Sequence, residues 1–280
     1  MKNILFPTDF SEISLNAFAY AMEYAQKLDA TLIIYHAYHE DISVDEKTQS
    51  IYEKIDIDNF RNKKDKFPPF QKLIKASKKG DLKVKYIVDE GVFSDSLFKY
   101  VAKRDDKIDI IIMGTSKGKN SSLFNIFMET NTIKILEEID KPVIAVPENA
   151  KFDGSLDNIM FLVDYRDEEI EPLEKITKVV KEFSAQLHVV HFDLAHGESI
   201  SPLMDNFRQN LTLKHKKTKF VSIDTLHLKT SLTDYCTENK IDMVCLLNQE
   251  RNLYQRLFTF SLAEDLINHI DIPVMAIYKK

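Results

Sequence analysis

The chain reads as an α/β protein of two tandem domains, each a five-stranded parallel sheet flanked by helices. One sign is internal repetition. NILFPTDFSE at 3–12 returns as NIMFLVDYRD at 158–167, and LDATLIIYHA at 28–37 returns as FSAQLHVVHF at 183–192, both displaced by 155 positions. A shared displacement means that strand, connection and second strand recur without a gap, and repetition of that kind sets the architecture. The other sign is alternation: short runs rich in Ile and Val take turns with stretches of helical period, as in parallel strands joined by crossover helices. At 280 residues the chain has room for two domains of about 100 to 150 residues, each with its own core.

In the first half the expected strands are NILFPTD, TLIIYHAY, VKYIVDE, IDIIIMG and PVIAVP. Between the first two, Leu15, Phe18, Ala19, Met22, Ala25 and Gln26 fall at helical spacing over Ser11 to Leu28, with Ser11 suited to the N-cap. A second helix is expected over Ser94–Lys103, with Leu97, Phe98 and Val101 facing a core, and a third over Thr130–Ile139. Asp41 to Lys79 is dense in Lys, Asp and Glu, with Ile51, Ile55 and Phe60 at wider spacing, and reads as a long amphipathic helix and a solvated connection. Its Lys63, Lys64 and Lys66 cluster sits beside Asp58 and Asp65, the composition of a solvated face rather than an anion site. Leu194–Thr218, with Lys214, His215, Lys216 and Lys217, takes the same reading.

The halves also match at their ends, KIDIIIMG at 107–114 with KIDMVCLL at 240–247, and DKPVIAV at 140–146 with DIPVMAI at 271–277. Domain one is thus expected over 1–148, a polar linker containing Gly154 over 149–157, and domain two over 158–280. The last strands, PVIAVP and PVMAIY, would each leave an open sheet edge, so the halves are expected to pair through them as an internal pseudo-dimer. Association of two chains into a homodimer would come on top of that.

A net charge of −6 and a pI near 5.8 provide no basic field for nucleic acid or a membrane surface. The opening MKNILFPTDF lacks the long apolar core of a secretion signal, and no run approaches 18 apolar residues, so the expected location is the cytoplasm. Cys236 and Cys245 lie in a helical stretch and an apolar strand, where packing is expected instead of a disulfide. No metal site is expected: His36 and His191 are equivalent by the 155 displacement, but neither has companions at ligand spacing, and each reads as a packed, hydrogen-bonded ring.

Ligands of open parallel sheets bind beyond the C-terminal strand ends, where the strand order reverses. There the first half presents Thr8 and Asp9 after strand one, then Met113, Gly114, Thr115 and Ser116 after strand four. The following TSKGKNSS contains Gly118, two lysines and hydroxyls, and the next helix starts near Thr130 and Asn131, a terminus suited to an anion. Asp9 is placed to accept hydrogen bonds from ribose hydroxyls while the loop holds phosphates.

FPTDFS, MGTS, the NT before the helix and KPVIAVP resemble the universal stress protein family, and the duplication resembles its tandem members. The resemblance covers both halves and is strongest over 1–40 and 107–147. It implies a Rossmann-like fold of the adenine nucleotide alpha hydrolase type and a stress-response regulator that binds ATP, with Mg²⁺, and acts on a protein partner. ATP-binding members resemble one another in carrying Gly, two residues, Gly, nine residues, then Gly-Ser or Gly-Thr. Matched position by position, this implies Asp9, Met113, Gly114, Gly118 and Thr130 as nucleotide contacts.

Two departures bear on that implication. Three residues separate Gly114 from Gly118, and Glu129 stands where the third glycine belongs. A carboxylate some 4 Å from a phosphate costs on the order of 4 kcal/mol at an effective dielectric of about 20, which Lys117 and Lys119 would partly offset. In the second half, 246–261 (LLNQERNLYQRLFTFS) has no glycine, so the cradle is degenerate there and its Leu253, Tyr254, Leu257, Phe258 and Phe260 would fill the crevice or cover a neighbouring domain, a partner or small hydrophobic ligand being the sharper alternative. Asp164, equivalent to Asp9, reads as a cap or turn residue. No nucleophile elbow, Walker lysine motif or HExxH appears, so no catalytic residue is assigned and the expectation is a binding module, with slow ATP hydrolysis as the alternative activity. A nucleotide-independent interaction scaffold is the rival reading.

Overall fold

The structure, a computed structural model, describes residues 2–8, 12–38, 82–104, 107–115, 139, 141–194, 200–211, 216–249 and 272–279. It forms two compact units, Met1–Gly154 and Ser155–Lys280. The first contains β1 (Asn3–Pro7), α1 (Glu12–Lys27), β2 (Thr31–Tyr38), β3 (Lys83–Glu90), α2 (Phe93–Ala102), β4 (Ile110–Thr115) and β5 (Val143–Pro147). Its parallel strands run in the order β3-β2-β1-β4-β5. The second contains β6 (Asn158–Leu162), a 3-10 turn at Asp167–Glu169, α3 (Ile170–Phe183), β7 (Gln186–Asp193) and α4 (Ser201–Asn210). It continues with β8 (Thr218–Asp224), α5 (Leu228–Glu238), β9 (Met243–Gln249) and β10 (Val274–Lys279), in the parallel order β8-β7-β6-β9-β10. Each unit is the α/β sheet that the repeat predicts, with the same order of strands.

Burial explains the strand sequences. Ile4, Leu5, Phe6, Leu32, Ile34 and Ile112 are fully buried, as central strands covered on both faces must be. β3 is only half buried and carries Lys83 and Lys85, the charges that blunt an outer strand. On α1 the buried face runs through Ser14, Ala17, Phe18, Ala21, Tyr24 and Ala25, turned slightly from the expected stripe because Tyr20 and Tyr24 pack inward. Their rings meet Phe152 at centroid distances of 5.1 and 6.0 Å. The Asn16 amide donates to the carbonyls of Pro147 at 3.1 Å and Ala150 at 3.2 Å, so residues of the polar 149–157 stretch dock onto the first unit.

The repeat extends to individual hydrogen bonds. Asp109 accepts the Asn3 N–H at 2.8 Å, and the Asn3 amide donates to the Lys107 carbonyl at 2.6 Å. In the second unit Asp242 accepts the Asn158 N–H at 2.8 Å, and the Asn158 amide reaches the Lys240 carbonyl at 3.3 Å. Asp29 and Ser184, which follow α1 and α3 at the same displacement of 155, both adopt left-handed backbone, φ 47° and 58°. The stretch read as solvated over Leu194–Thr218 includes α4, amphipathic through one fully buried side chain, Phe207. The helices expected over Thr130–Ile139 and within Asp41–Lys79 lie outside the described residues, Ile139 excepted. So do Ser11 and most of 246–261.

Candidate functional site

In the first unit the chain steps from β1 to β2 on one side and from β3 to β4 on the other, so the strand order reverses between β1 and β4. These strands pair as Ile4 with Ile110 and Leu5 with Ile111. Run forward, that register sets Thr8 level with Gly114 at the C-terminal edge, the place where open sheets take ligands. Thr8 is buried and fully engaged: its N–H donates to the Tyr35 carbonyl at 2.9 Å, its carbonyl accepts from His36 Nδ1 at 2.8 Å, and its hydroxyl pairs with that of Ser14 at 2.5 Å. A carbonyl only accepts, so His36 holds its proton on Nδ1. The Thr8 side chain is thereby drawn back against α1 and does not project over the sheet end.

Met113 and Gly114 are half buried and pair with Ala145 and Val146 of β5. With no Cβ, Gly114 leaves its backbone open to close approach. Of the residues singled out in the sequence, the structure therefore brings Thr8, Met113 and Gly114 to one edge. Thr115 ends β4 beside them. Asp9, Gly118, Thr130 and Asn131 lie outside the described residues, as do Lys117, Lys119 and Glu129.

The second unit presents different chemistry at the same edge. The β6–β9 register, Ile159 with Met243, runs forward to Val163 opposite Leu247, both buried, where the first unit has Thr8 and Gly114. Tyr165, 4 % exposed and left-handed at φ 59°, packs on Phe207 and His191 and donates its hydroxyl to the Val221 carbonyl at 3.2 Å. His191 Nδ1 donates to the Val163 carbonyl at 2.8 Å, matching His36. Both histidines are hydrogen-bonded rings, as expected. Cys236 and Cys245 are buried free thiols, also as expected, and burial alone pushes Cys236 up to about 12.

The sequence reading passed over Glu169. It is buried in the turn before α3, and both carboxylate oxygens accept the Asp164 N–H at 3.0 Å, while Oε2 also accepts the Arg166 N–H at 2.9 Å. Burial, partly opposed by those N–H groups, pushes its carboxyl from the ordinary 4.5 up to about 7. Asp164 itself sits 3.5 Å from Arg166 and 3.6 Å from His191, and organises the turn. A signal for Glu169 was present: by the 155 displacement it stands where the first half has Ser14, an acid in place of a small hydroxyl.

Comparison with known proteins agrees with this fold. A universal stress protein from Archaeoglobus fulgidus DSM 4304 superposes with a TM-score of 0.67 at 15 % identity, over 99 % of this chain and 96 % of that one. A functionally unknown protein from Pseudomonas aeruginosa PAO1 superposes with a TM-score of 0.56 at 12 % identity, over 99 % of this chain and 92 % of that one. No curated protein matches in sequence. The family model described as the universal stress protein family matches residues 1–147, more than half of the chain, and the protein belongs to that family.

Proposed function

We propose that the first unit binds an adenine nucleotide, ATP with Mg²⁺, at the C-terminal ends of β1 and β4, and that the chain serves as a nucleotide-responsive binding module for a protein partner in a stress response. The observation that supports this reading is the placement of Gly114 level with Thr8 at the point where strand order reverses. Gly114 has no Cβ to stand between backbone and ligand, and the Thr8 hydroxyl is tied to that of Ser14. Asp9 would accept the ribose hydroxyls. Gly118, Thr115, Thr130 and Asn131 would face the phosphates, and ordering of the 114–130 loop would present or withdraw a partner surface. Mg²⁺ would supply charge neutralisation beside Glu129, with Lys117 and Lys119 contributing.

Calorimetry of Mg-ATP on the nucleotide-stripped full chain tests this. Micromolar binding that disappears in both Asp9→Ala and Gly114→Val supports it. Absence of binding, with binding restored in Glu129→Gly, would overturn it in favour of the nucleotide-independent scaffold. ATP turnover that Asp9→Ala abolishes would instead make the chain a slow ATPase.

A further inference from the structure

We propose that β8 is a self-complementary docking edge, to which a second copy of this chain adds its own β8, antiparallel, across a two-fold axis at Phe220. The inference concerns the second unit and stands whether or not the first binds nucleotide.

β8 is the outermost strand of its unit and pairs with β7. The bonds to β7 fix which of its backbone groups face outward. The Lys217 carbonyl accepts the Leu187 N–H at 2.9 Å, and the Thr225 N–H donates to the Asp193 carbonyl at 3.0 Å. Alternate residues of a strand aim at the same neighbour, so every second position from Lys217 to Thr225 faces β7. Phe220, Ser222 and Asp224 therefore turn their N–H and C=O groups to the open side, as does Thr218 before them. An edge of this kind is a template for another strand.

The side chains of those residues complement themselves when the strand is reversed. Two-fold pairing about Phe220 sets Lys216 opposite Asp224, Thr218 opposite Ser222, and Phe220 opposite its own copy. Opposite charges, paired hydroxyls and paired aromatics are the cross-strand combinations that favour antiparallel pairing. Moving the axis one residue either way breaks all three. At Val221, Asp224 meets Thr218 and Phe220 meets Ser222; at Lys219, Lys216 meets Ser222 and Thr218 meets Phe220.

The charges at the two ends are available for this. Lys216 and Asp224 are both exposed, and neither has an ion-pair partner among the described residues. Asp224 also stands level with Asp193 of β7, a like charge that an arriving cation would offset. Lys219, the mid-strand charge that would discourage pairing, falls by alternation on the other face, 6.0 Å from the Tyr235 ring of α5. The outer strand of the first unit lacks the match: its pairing with β2 puts Leu82 and Glu90 at the positions of Lys216 and Asp224.

Sedimentation of the full chain over a concentration series is the test. The mass should climb from 32.5 kDa towards that of two chains, and the Phe220 and Ser222 amides should gain protection from hydrogen exchange as it does. Lys216→Glu and Asp224→Lys each set like charges together at both ends of the pair and should weaken association roughly tenfold. The two changes combined exchange the charges and should restore it. A chain that stays at 32.5 kDa throughout would overturn the proposal. So would association that both single variants leave unchanged, which places the contact elsewhere, or a double variant no stronger than the singles.

Discussion

The carboxylate of Asp242 accepts the backbone N–H of Asn158 at 2.8 Å, and with it the N–H of Asp157 at 2.7 Å, so one side chain ties the approach to β9 to the start of β6. Asp109 does the same for Asn3 with one such bond. Asp242→Ala should destabilise the second unit by about 1–3 kcal/mol, and Asp109→Ala should cost the first unit less, because fewer donors lose a charged acceptor. Urea unfolding followed by circular dichroism measures both. Unchanged midpoints would mean that water replaces the carboxylates without loss.

Glu169 makes stability fall as pH rises. Its folded value of about 7 lies above the ordinary 4.5, so between those values the folded chain binds more protons than the unfolded one, and stability declines across that window. The full difference is on the order of 3 kcal/mol. Glu169→Gln keeps an acceptor for the two N–H groups without the charge. It should raise the urea midpoint at pH 8 and leave it nearly unchanged at pH 5.

His188 works in the opposite direction. Burial, with Lys219 adding to it, lowers its value below the ordinary 6.5, while its ring nitrogens meet the Tyr235 hydroxyl at 2.8 Å and Asn158 Oδ1 at 3.4 Å. Below 6.5 the unfolded chain binds the extra proton, so the stability contributed by neutral His188 is present above that pH and is lost as pH falls. In a Glu169→Gln background, acidification from pH 7.5 to 5.5 should lower the urea midpoint, and His188→Gln should flatten that slope. An equal slope with and without His188 would assign the acid sensitivity elsewhere.

Ser184 closes α3 in left-handed backbone, φ 58°, the position where helices prefer glycine. Ser184→Gly should stabilise the second unit by about 0.5–1 kcal/mol, since its bond from Lys217 goes to the main-chain carbonyl and survives the change. Thermal unfolding reads the effect. A lower midpoint would show that the serine side chain contributes more than its backbone strain costs.

Phe18 is fully buried on α1 and meets Phe6 edge to face at 5.4 Å. Phe18→Ala should cost the first unit about 3–5 kcal/mol through lost burial and the cavity left behind. A loss under 1 kcal/mol in urea unfolding would mean that the core collapses around the gap.

What the sequence determined by itself was the repetition, and with it the α/β class, the strands and the strand edge that holds Thr8, Met113 and Gly114. Apolar runs and an unbroken displacement are local properties, and a parallel sheet allows few ways to arrange them. The fate of particular side chains was decided by tertiary structure. The 155 displacement sets Glu169 against Ser14, but the order of residues does not give its burial or its partners, nor turn Thr8 back against Ser14, because both depend on what α1, α3 and the neighbouring strands bring to the same place. The same holds for the difference between the two strand edges. Equivalent sequence positions carry Thr8 and Gly114 in one unit and Val163 and Leu247 in the other, and only folding sets each pair level across adjacent strands.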